Sequence, residues 1–158
     1  MQKIMPCLWF QNNDGAEAIA FYSAIFRNSR IVSEIYWGKE GGDKEGSLLA
    51  ATFELDGMRF QVLNGGAHDA FNDAISLSIE CKDQAEVDYY WDRLLEGGGT
   101  PVACSWLKDR FGISWQVVPE VLPRLLADPD QAKADRVMAA MMKMVKIDVA
   151  AIEAAAKG

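Results

Sequence analysis

An internal repeat restricts the fold of this chain more than any other feature of its sequence. The segment MPCLWFQNND precedes the helical pattern DGAEAIAFYSAIF, and AISLSIECKD precedes DQAEVDYYWDRLL. Asp83 and Glu86 follow Asp14 and Glu17 at the same offset of 69 residues. One supersecondary unit, a strand followed by a helix, is therefore predicted to occur twice.

Each repeat carries the signals of a helix. An Asp followed three residues later by a Glu resembles a capping box, which predicts N-caps at Asp14 and Asp83. Gly97-Gly98-Gly99 ends the second helix, because glycine takes the left-handed conformation at little cost. The apolar positions follow helical spacing, at Ala18, Ile19, Tyr22, Ile25 and Phe26 in the first helix and at Val87, Tyr90, Trp91, Leu94 and Leu95 in the second.

Strand-like segments follow each helix. They are 30–37, 47–55 and 59–66 in the first half and 100–109 and 112–119 in the second. Asp56-Gly57 is a hairpin signal. We predict an α+β protein with a first βαβββ module in residues 1–66 and a second in 67–119, the second short of a strand or with a degraded one.

Residues 120–158 are predicted to form a helical tail. Asp130 and Asp148 have the position of N-caps. The segment RVMAAMMKMVKI carries a methionine stripe, which favours docking on the body of the protein or on a partner subunit over binding a cofactor.

Composition excludes several function classes. A formal charge of −7 and a pI near 4.7 disfavour nucleic acid and anionic membranes as partners. No apolar run reaches transmembrane length, and the N-terminal segment lacks the pattern of a signal peptide. Three separated cysteines favour reduced thiols, so we expect a cytoplasmic protein. A single histidine, His68, disfavours a His-rich zinc site and a Ser-His-Asp triad.

The faces of the predicted strands differ in chemistry. Side chains alternate across a strand, so one face of each strand is apolar and the other is small or neutral-polar. The faces opposite the apolar ones include the side chains of Cys7, Trp9, Gln61, Ser76, Ser78, Ser114 and Gln116. Two interpretations remain: a sheet with one face in water, or a curved sheet whose neutral-polar face lines a ligand cavity.

The doubled pattern, with AFYSAIF in the first copy and SWLKDRFGISWQVVP in the second, resembles the vicinal-oxygen-chelate superfamily of glyoxalase I, bleomycin-resistance proteins and extradiol dioxygenases. More narrowly, FQVLNGG, AISLSIEC and WLKDRFGISWQVVP resemble the PhnB-like family, whose members are often labelled 3-demethylubiquinone-9 3-methyltransferase-like. The resemblance covers about residues 1–120. It implies a mixed, curved sheet and a homodimer in which sheets of both chains help to enclose the cavities.

The resemblance also assigns four positions on the concave face. In the superfamily's enzymes they usually hold His or Gln, Glu, His and Glu, which bind a metal. The corresponding residues here are Cys7, Gln61, Ser76 and Gln116. Neutral amides and a serine are poor ligands for a divalent cation. We therefore expect no metal and no other cofactor, with Gln116 as a hydrogen-bonding group for a polar organic ligand.

Four further residues, Trp9, His68, Phe71 and Trp106, are candidates for the cavity. Trp9 and Trp106 are either core residues or walls of an apolar pocket. His68, near Phe71 in a loop, is either a base or ligand contact or an ordinary surface histidine. Cys7 is either a nucleophile or, with no base visible beside it, a structural thiol.

Three functions are consistent with this sequence, and the family label adds a fourth. The first is a small-molecule binder without a tightly bound catalytic metal. The second is a lyase or isomerase of the glyoxalase type, with a metal held partly by Gln61 and Gln116 or with His68 acting without metal. The third is a structural dimerisation module. The fourth, a methyltransferase, is disfavoured because no glycine-rich loop joins a strand to a helix.

Overall fold

The computed structural model describes residues 2–158, which form two units. The first unit ends at Ala70 and the second spans Phe71–Gly158. Each unit contains one four-stranded mixed sheet with a helix, and the second also contains the helical tail. The predicted α+β class with two related modules is confirmed.

The first unit is a βαβββ module. Its elements are β1 (Cys7–Trp9), α1 (Gly15–Ile25), β2 (Ser29–Tyr36), a 3-10 turn (Lys39–Lys44), β3 (Leu48–Leu55) and β4 (Met58–Leu63). The strand order is β1-β4-β3-β2. Strand β1 runs parallel to β4, and the other pairs are antiparallel. Strand β2 therefore forms an edge of this sheet.

The apolar stripe predicted for α1 is buried. Its members Ala18, Ile19, Tyr22, Ile25 and Phe26 are each at most 5% exposed. The ring of Tyr22 stacks on Phe53 of β3 at 6.5 Å between centroids. Burial of this stripe removes apolar surface from water, which is the main stabilising contribution to such a unit. The opposite face of the sheet is left free of α1.

The second unit repeats the module with one degraded strand, as predicted. Its elements are β5 (Ser76–Cys81), α2 (Gln84–Leu95), β6 (Thr100–Pro101), β7 (Trp106–Lys108) and β8 (Ser114–Pro119). The strand order is β5-β8-β7-β6, with β5 parallel to β8. Residues 102–105 lie outside the ladder, so the predicted strand 100–109 is split into β6 and β7.

The tail consists of three helices, as the sequence predicts in outline. They are α3 (Val121–Leu126), α4 (Gln131–Met141) and α5 (Val149–Lys157). Leu122, Val137, Ile147 and Ile152 form its apolar core, and Val118 of β8 packs against them. Met141 and Met144 also pack there, whereas Met138 and Met142 are 42% and 67% exposed. The tail thus covers the Val118 end of β8.

All four predicted N-cap residues occupy the N-cap position of their helices, and three of them make a side-chain capping bond. The carboxylates of Asp83, Asp130 and Asp148 accept hydrogen bonds from the backbone N–H three residues later. Asp14 also occupies the N-cap position of α1, but its side chain makes no capping bond, so the predicted capping box is absent there. Asp14 has φ −96° and ψ 22° instead of the extended conformation that an N-cap residue usually takes.

Asn64, the residue that follows strand β4, holds the start of α1 instead. The side-chain oxygen of Asn64 accepts the N–H of Gly15 at 3.1 Å, and the Asn64 amide donates to the carbonyl of Leu48 at 3.1 Å. A Cβ at position 15 would lie 2.3 Å from Val62 and 2.6 Å from Asn64. Glycine is therefore needed for this close approach.

No helix in residues 2–158 is long and apolar enough to cross a membrane.

Candidate functional site

The open face of the first sheet carries a row of small polar side chains. Cys7 pairs with Gln61, Gln61 with Thr52, and Thr52 with Ser33, so the four lie side by side across the sheet. They line a shallow cavity of about 250 Å³ together with Ile35, Ala50 and Leu63. The cavity wall is thus apolar with a polar stripe, which is the usual make-up of a small-molecule site.

Cys7 is exposed in this cavity but is a weak nucleophile. Desolvation raises the pKa of its thiol above the ordinary value. The thiolate is the reactive form, so a raised pKa lowers reactivity near neutral pH. The side chains beside it in the row are neutral, and none is a base that would remove the thiol proton.

Trp9 and His68 are in contact at one end of this face. Their ring centroids lie 4.2 Å apart with 43° between the planes. The indole N–H of Trp9 donates to the carbonyl of Gly66 at 3.0 Å, and the backbone N–H of Asp69 donates to Nδ1 of His68 at 2.8 Å. A histidine that accepts at Nδ1 while neutral carries its proton on Nε2, so Nε2–H is the group available to a ligand.

Charged residues close the other end of the same face. Glu54 bridges Arg30 at 2.9 Å and Arg59 at 3.3 Å. The hydrogen bond from Arg30 is the largest cause that holds the pKa of Glu54 below its usual value. The carboxylate neutralises one of the two guanidinium groups, so these three residues together carry a charge of one positive unit.

The open face of the second sheet is centred on Gln116. Its side-chain amide donates to the hydroxyl of Ser76 at 2.8 Å. In the strand register Gln116 pairs with Ser78 on one side and Trp106 on the other, and Ser76 pairs with Ser114. The two residues predicted to share a site here therefore touch through their side chains, although they are not register partners.

On the same face, the carboxylate of Asp73 lies beside Lys108 and Ser114. Oδ1 of Asp73 lies 2.9 Å from Nζ of Lys108 and accepts a hydrogen bond from the Ser114 hydroxyl at 2.9 Å. Lys108 and Ser114 are direct cross-strand partners. The Lys108 hydrogen bond, followed by the one from Ser114, lowers the pKa of Asp73. Asp73 belongs to no helix or strand, so a loop delivers this group to the sheet.

The hairpin between β7 and β8 explains why Asp109 and Gly112 occur in the segment WLKDRFGISWQVVP. Asp109 is 3% exposed, and its carboxylate accepts from the N–H of Phe111, the N–H of Ile113 and the indole of Trp115 at 2.8–3.1 Å. Gly112 has φ +88°, which favours glycine. Asp109 is therefore a structural residue of the turn, and Phe71 lies beside that turn near Gly112.

The structure brings some of the predicted site residues together in each unit. Cys7 adjoins Gln61, Trp9 contacts His68, and Ser76 bonds to Gln116, with Trp106 beside Gln116. Phe71 stands apart at the turn.

The sequence analysis did not include Asp73 or Lys108 among the candidate site residues. Two signals could have placed Lys108 on the open face: its alternation with Leu107 and its position opposite Ser114 across a tight turn. No sequence pattern predicts the placement of Asp73.

The residues on these faces do not form a metal centre of the kind that the superfamily's enzymes use. In residues 2–158, no three His, Cys, Asp or Glu side chains converge to hold an ion. The two glutamines and the serine are neutral, and the one thiol has a raised pKa. The Gln116 amide is also engaged with Ser76. Such a set offers little to offset the hydration that a divalent cation loses on binding.

Known proteins resemble the chain in sequence and in fold. The family model described as 3-demethylubiquinone-9 3-methyltransferase matches residues 2–118. A PhnB protein from Bacillus cereus is 32% identical, with a TM-score of 0.65 over 75% of this chain and 99% of that one. Comparison with curated proteins gave no match.

Two more distant structures share the fold alone. A protein from Pseudomonas aeruginosa is 18% identical, with a TM-score of 0.60 over 76% of this chain and 98% of that one. The fosfomycin resistance protein FosX from Mesorhizobium loti is 14% identical, with a TM-score of 0.56 over 81% of this chain and 100% of that one.

Proposed function

The chain belongs to the PhnB-like family described as 3-demethylubiquinone-9 3-methyltransferase, within the vicinal-oxygen-chelate superfamily, and from this premise we propose that it binds a small polar organic molecule without a tightly bound catalytic metal. The observation that carries the proposal is the chemistry of the two open sheet faces. Each has neutral hydrogen-bonding side chains at its centre, Gln61 with Thr52 in one and Gln116 with Ser76 in the other. An amide both donates and accepts, so it suits an uncharged polar group of a ligand.

The donor set supports a function without metal. The positions where the superfamily's enzymes carry charged or imidazole ligands hold Cys7, Gln61, Ser76 and Gln116 in this chain. A glyoxalase-type reaction through a bound metal would need stronger ligands than these. Metal content therefore distinguishes the binder from that enzyme.

The fold does not favour the methyltransferase activity in the family's description. A doubly wound nucleotide-binding sheet has a glycine-rich turn between a parallel strand and a helix. Here Gly65-Gly66 follow β4, but residues 67–75 contain no helix before β5. Gly97, Gly98 and Gly99 follow α2 and lead to a strand.

Replacement of Gln116 tests the proposal. A ligand is first found by mass spectrometry of molecules released from the denatured protein and by thermal shift across a metabolite panel, since a ligand that binds only the folded state raises its Tm. Gln116→Ala is expected to weaken that ligand about tenfold, because a hydrogen bond to it is lost. Gln131→Ala removes an exposed glutamine of α4 and is the matched control.

Two results would contradict the proposal. An unchanged Kd in Gln116→Ala would remove Gln116 from the site. Stoichiometric zinc, nickel or manganese in protein purified without chelator would favour the metal-dependent enzyme instead.

We also propose that the chain is a homodimer. Edge strand β2 is exposed along its length, and Ile31, Ile35 and Tyr36 are each 50–58% exposed. Apolar side chains on an unpaired edge strand favour association with another chain. A second copy of the chain is the occupant we propose, as the resemblance to the family implies.

A further inference from the structure

The polar contact at Asp73 has the geometry of a ligand site occupied by the protein's own side chain. Lys108 and Ser114 face each other across β7 and β8, and a single carboxylate oxygen, Oδ1 of Asp73, lies 2.9 Å from both. A lysine ammonium and a hydroxyl that converge on one oxygen are a common arrangement for holding an anionic oxygen. Here that oxygen comes from a loop.

The ion pair between Asp73 and Lys108 is exposed to solvent. Its side chain is 61% exposed and that of Lys108 is 40% exposed. The residues on either side in the chain, Asn72 and Ala74, are exposed, and Ile75 is 77% exposed. Exposed ion pairs contribute little to stability, so exchange of the Asp73 carboxylate for one from solution costs little.

The surroundings show what the rest of such a ligand would contact. Trp106 precedes Lys108 by two residues on the same face of β7, and Gln116 follows Ser114 by two on the same face of β8. Two residues along a strand span about 7 Å, which is close to the length of a benzoate molecule. The tail covers the following position, Val118.

We propose that Lys108 and Ser114 form a carboxylate subsite, and that Asp73 occupies it in the ligand-free chain in place of a small organic carboxylate whose apolar or aromatic body lies against Trp106. This subsite extends the proposed function by naming the chemical class of the ligand, and so it rests on that function. Gln116 then hydrogen-bonds to a polar substituent on the body of the ligand. Asp73 competes with the ligand for the same two donors.

The test uses benzoate and its neutral analogue benzamide, titrated by calorimetry into the full chain. Asp73→Asn keeps the size of the side chain and removes its charge, so benzoate is expected to bind up to about fivefold more tightly than to the unmodified chain. Lys108→Met is expected to weaken benzoate about tenfold. Asp92→Asn makes the same charge change at an exposed position of α2 and is expected to change nothing.

A second readout guards against indirect effects. Benzoate should shift the backbone amide resonances of Ser114 and Lys108 in the Asp73→Asn protein, and benzamide should not. The proposal is overturned if benzoate gains no affinity in Asp73→Asn, if benzamide gains equally, or if Lys108→Met binds benzoate as before.

Failure of the subsite is distinct from failure of the proposed function. If a neutral panel compound binds in a manner that depends on Gln116 while the benzoate results are negative, only the carboxylate subsite is wrong. If no compound binds either the unmodified chain or Asp73→Asn, both are wrong.

Discussion

At the scale of single residues, one buried carboxylate determines the shape of the β7–β8 hairpin. Asp109 accepts three hydrogen bonds from the turn and from Trp115, which are groups that would otherwise be unpaired in a dry environment. This turn places Lys108 opposite Ser114 and thereby builds the face that Gln116 shares. Asp109 thus positions the residues of the proposed site.

Asp109→Ala should destabilise the protein by about 2–3 kcal/mol, since it leaves buried donors without an acceptor. Urea unfolding followed by circular dichroism measures the change. Asp109→Asn keeps one acceptor oxygen and should lose less. Equal stability of Asp109→Ala and the unmodified protein would mean that the turn does not depend on this carboxylate.

At the scale of elements, the two repeats start their helices in different ways. The Asp83 side chain accepts the N–H of Glu86 at 2.9 Å, whereas the Asp14 side chain makes no capping bond and the Asn64 side chain accepts a hydrogen bond at the start of α1 instead. The repeat in sequence therefore conceals a difference in structure. The difference arises because Gly15 approaches Val62 and Asn64 closely, a contact that no local pattern encodes.

Asp83→Ala should cost about 1 kcal/mol of stability, the usual effect of losing an N-cap. Asp14→Ala, at the equivalent position of the other repeat, should change the stability by much less. Thermal or urea unfolding of the two variants measures the contrast. Equal losses would show that Asp14 stabilises α1 by a route other than a capping bond.

The strands and helices were predictable from the sequence to different degrees. Period and alternation predicted the α1 stripe and the two faces of β8, because these patterns reflect burial on one side, and the Asp56-Gly57 turn signal predicted the β3–β4 hairpin. Strand β6 is only two residues long because residues 102–105 leave the ladder, and Cys104 and Ser105 there donate backbone hydrogen bonds to Met144 and Val145 of the tail. Such long-range contacts, like that of Asp73, have no local signature.

At the scale of the whole molecule, the proposed dimer predicts which surface is buried between copies. Ile31→Glu places a charge on the exposed side of β2 and should convert the dimer to a monomer, as measured by light scattering after size exclusion. Met138→Glu makes a similar change on α4 and should leave the dimer intact. A dimer that survives Ile31→Glu but not Met138→Glu would instead place the interface on the methionine-rich tail.

The coverage of Val118 by the tail has a consequence for selectivity. A molecule aligned with β8 has the interval from Ser114 to Val118, which is about 13 Å, before it meets Leu122 and its neighbours. Long acyl chains and extended polycyclic compounds exceed that interval along the strand. For a ligand bound as proposed, the tail therefore limits the length along β8 to about 13 Å, which is close to two benzoate lengths.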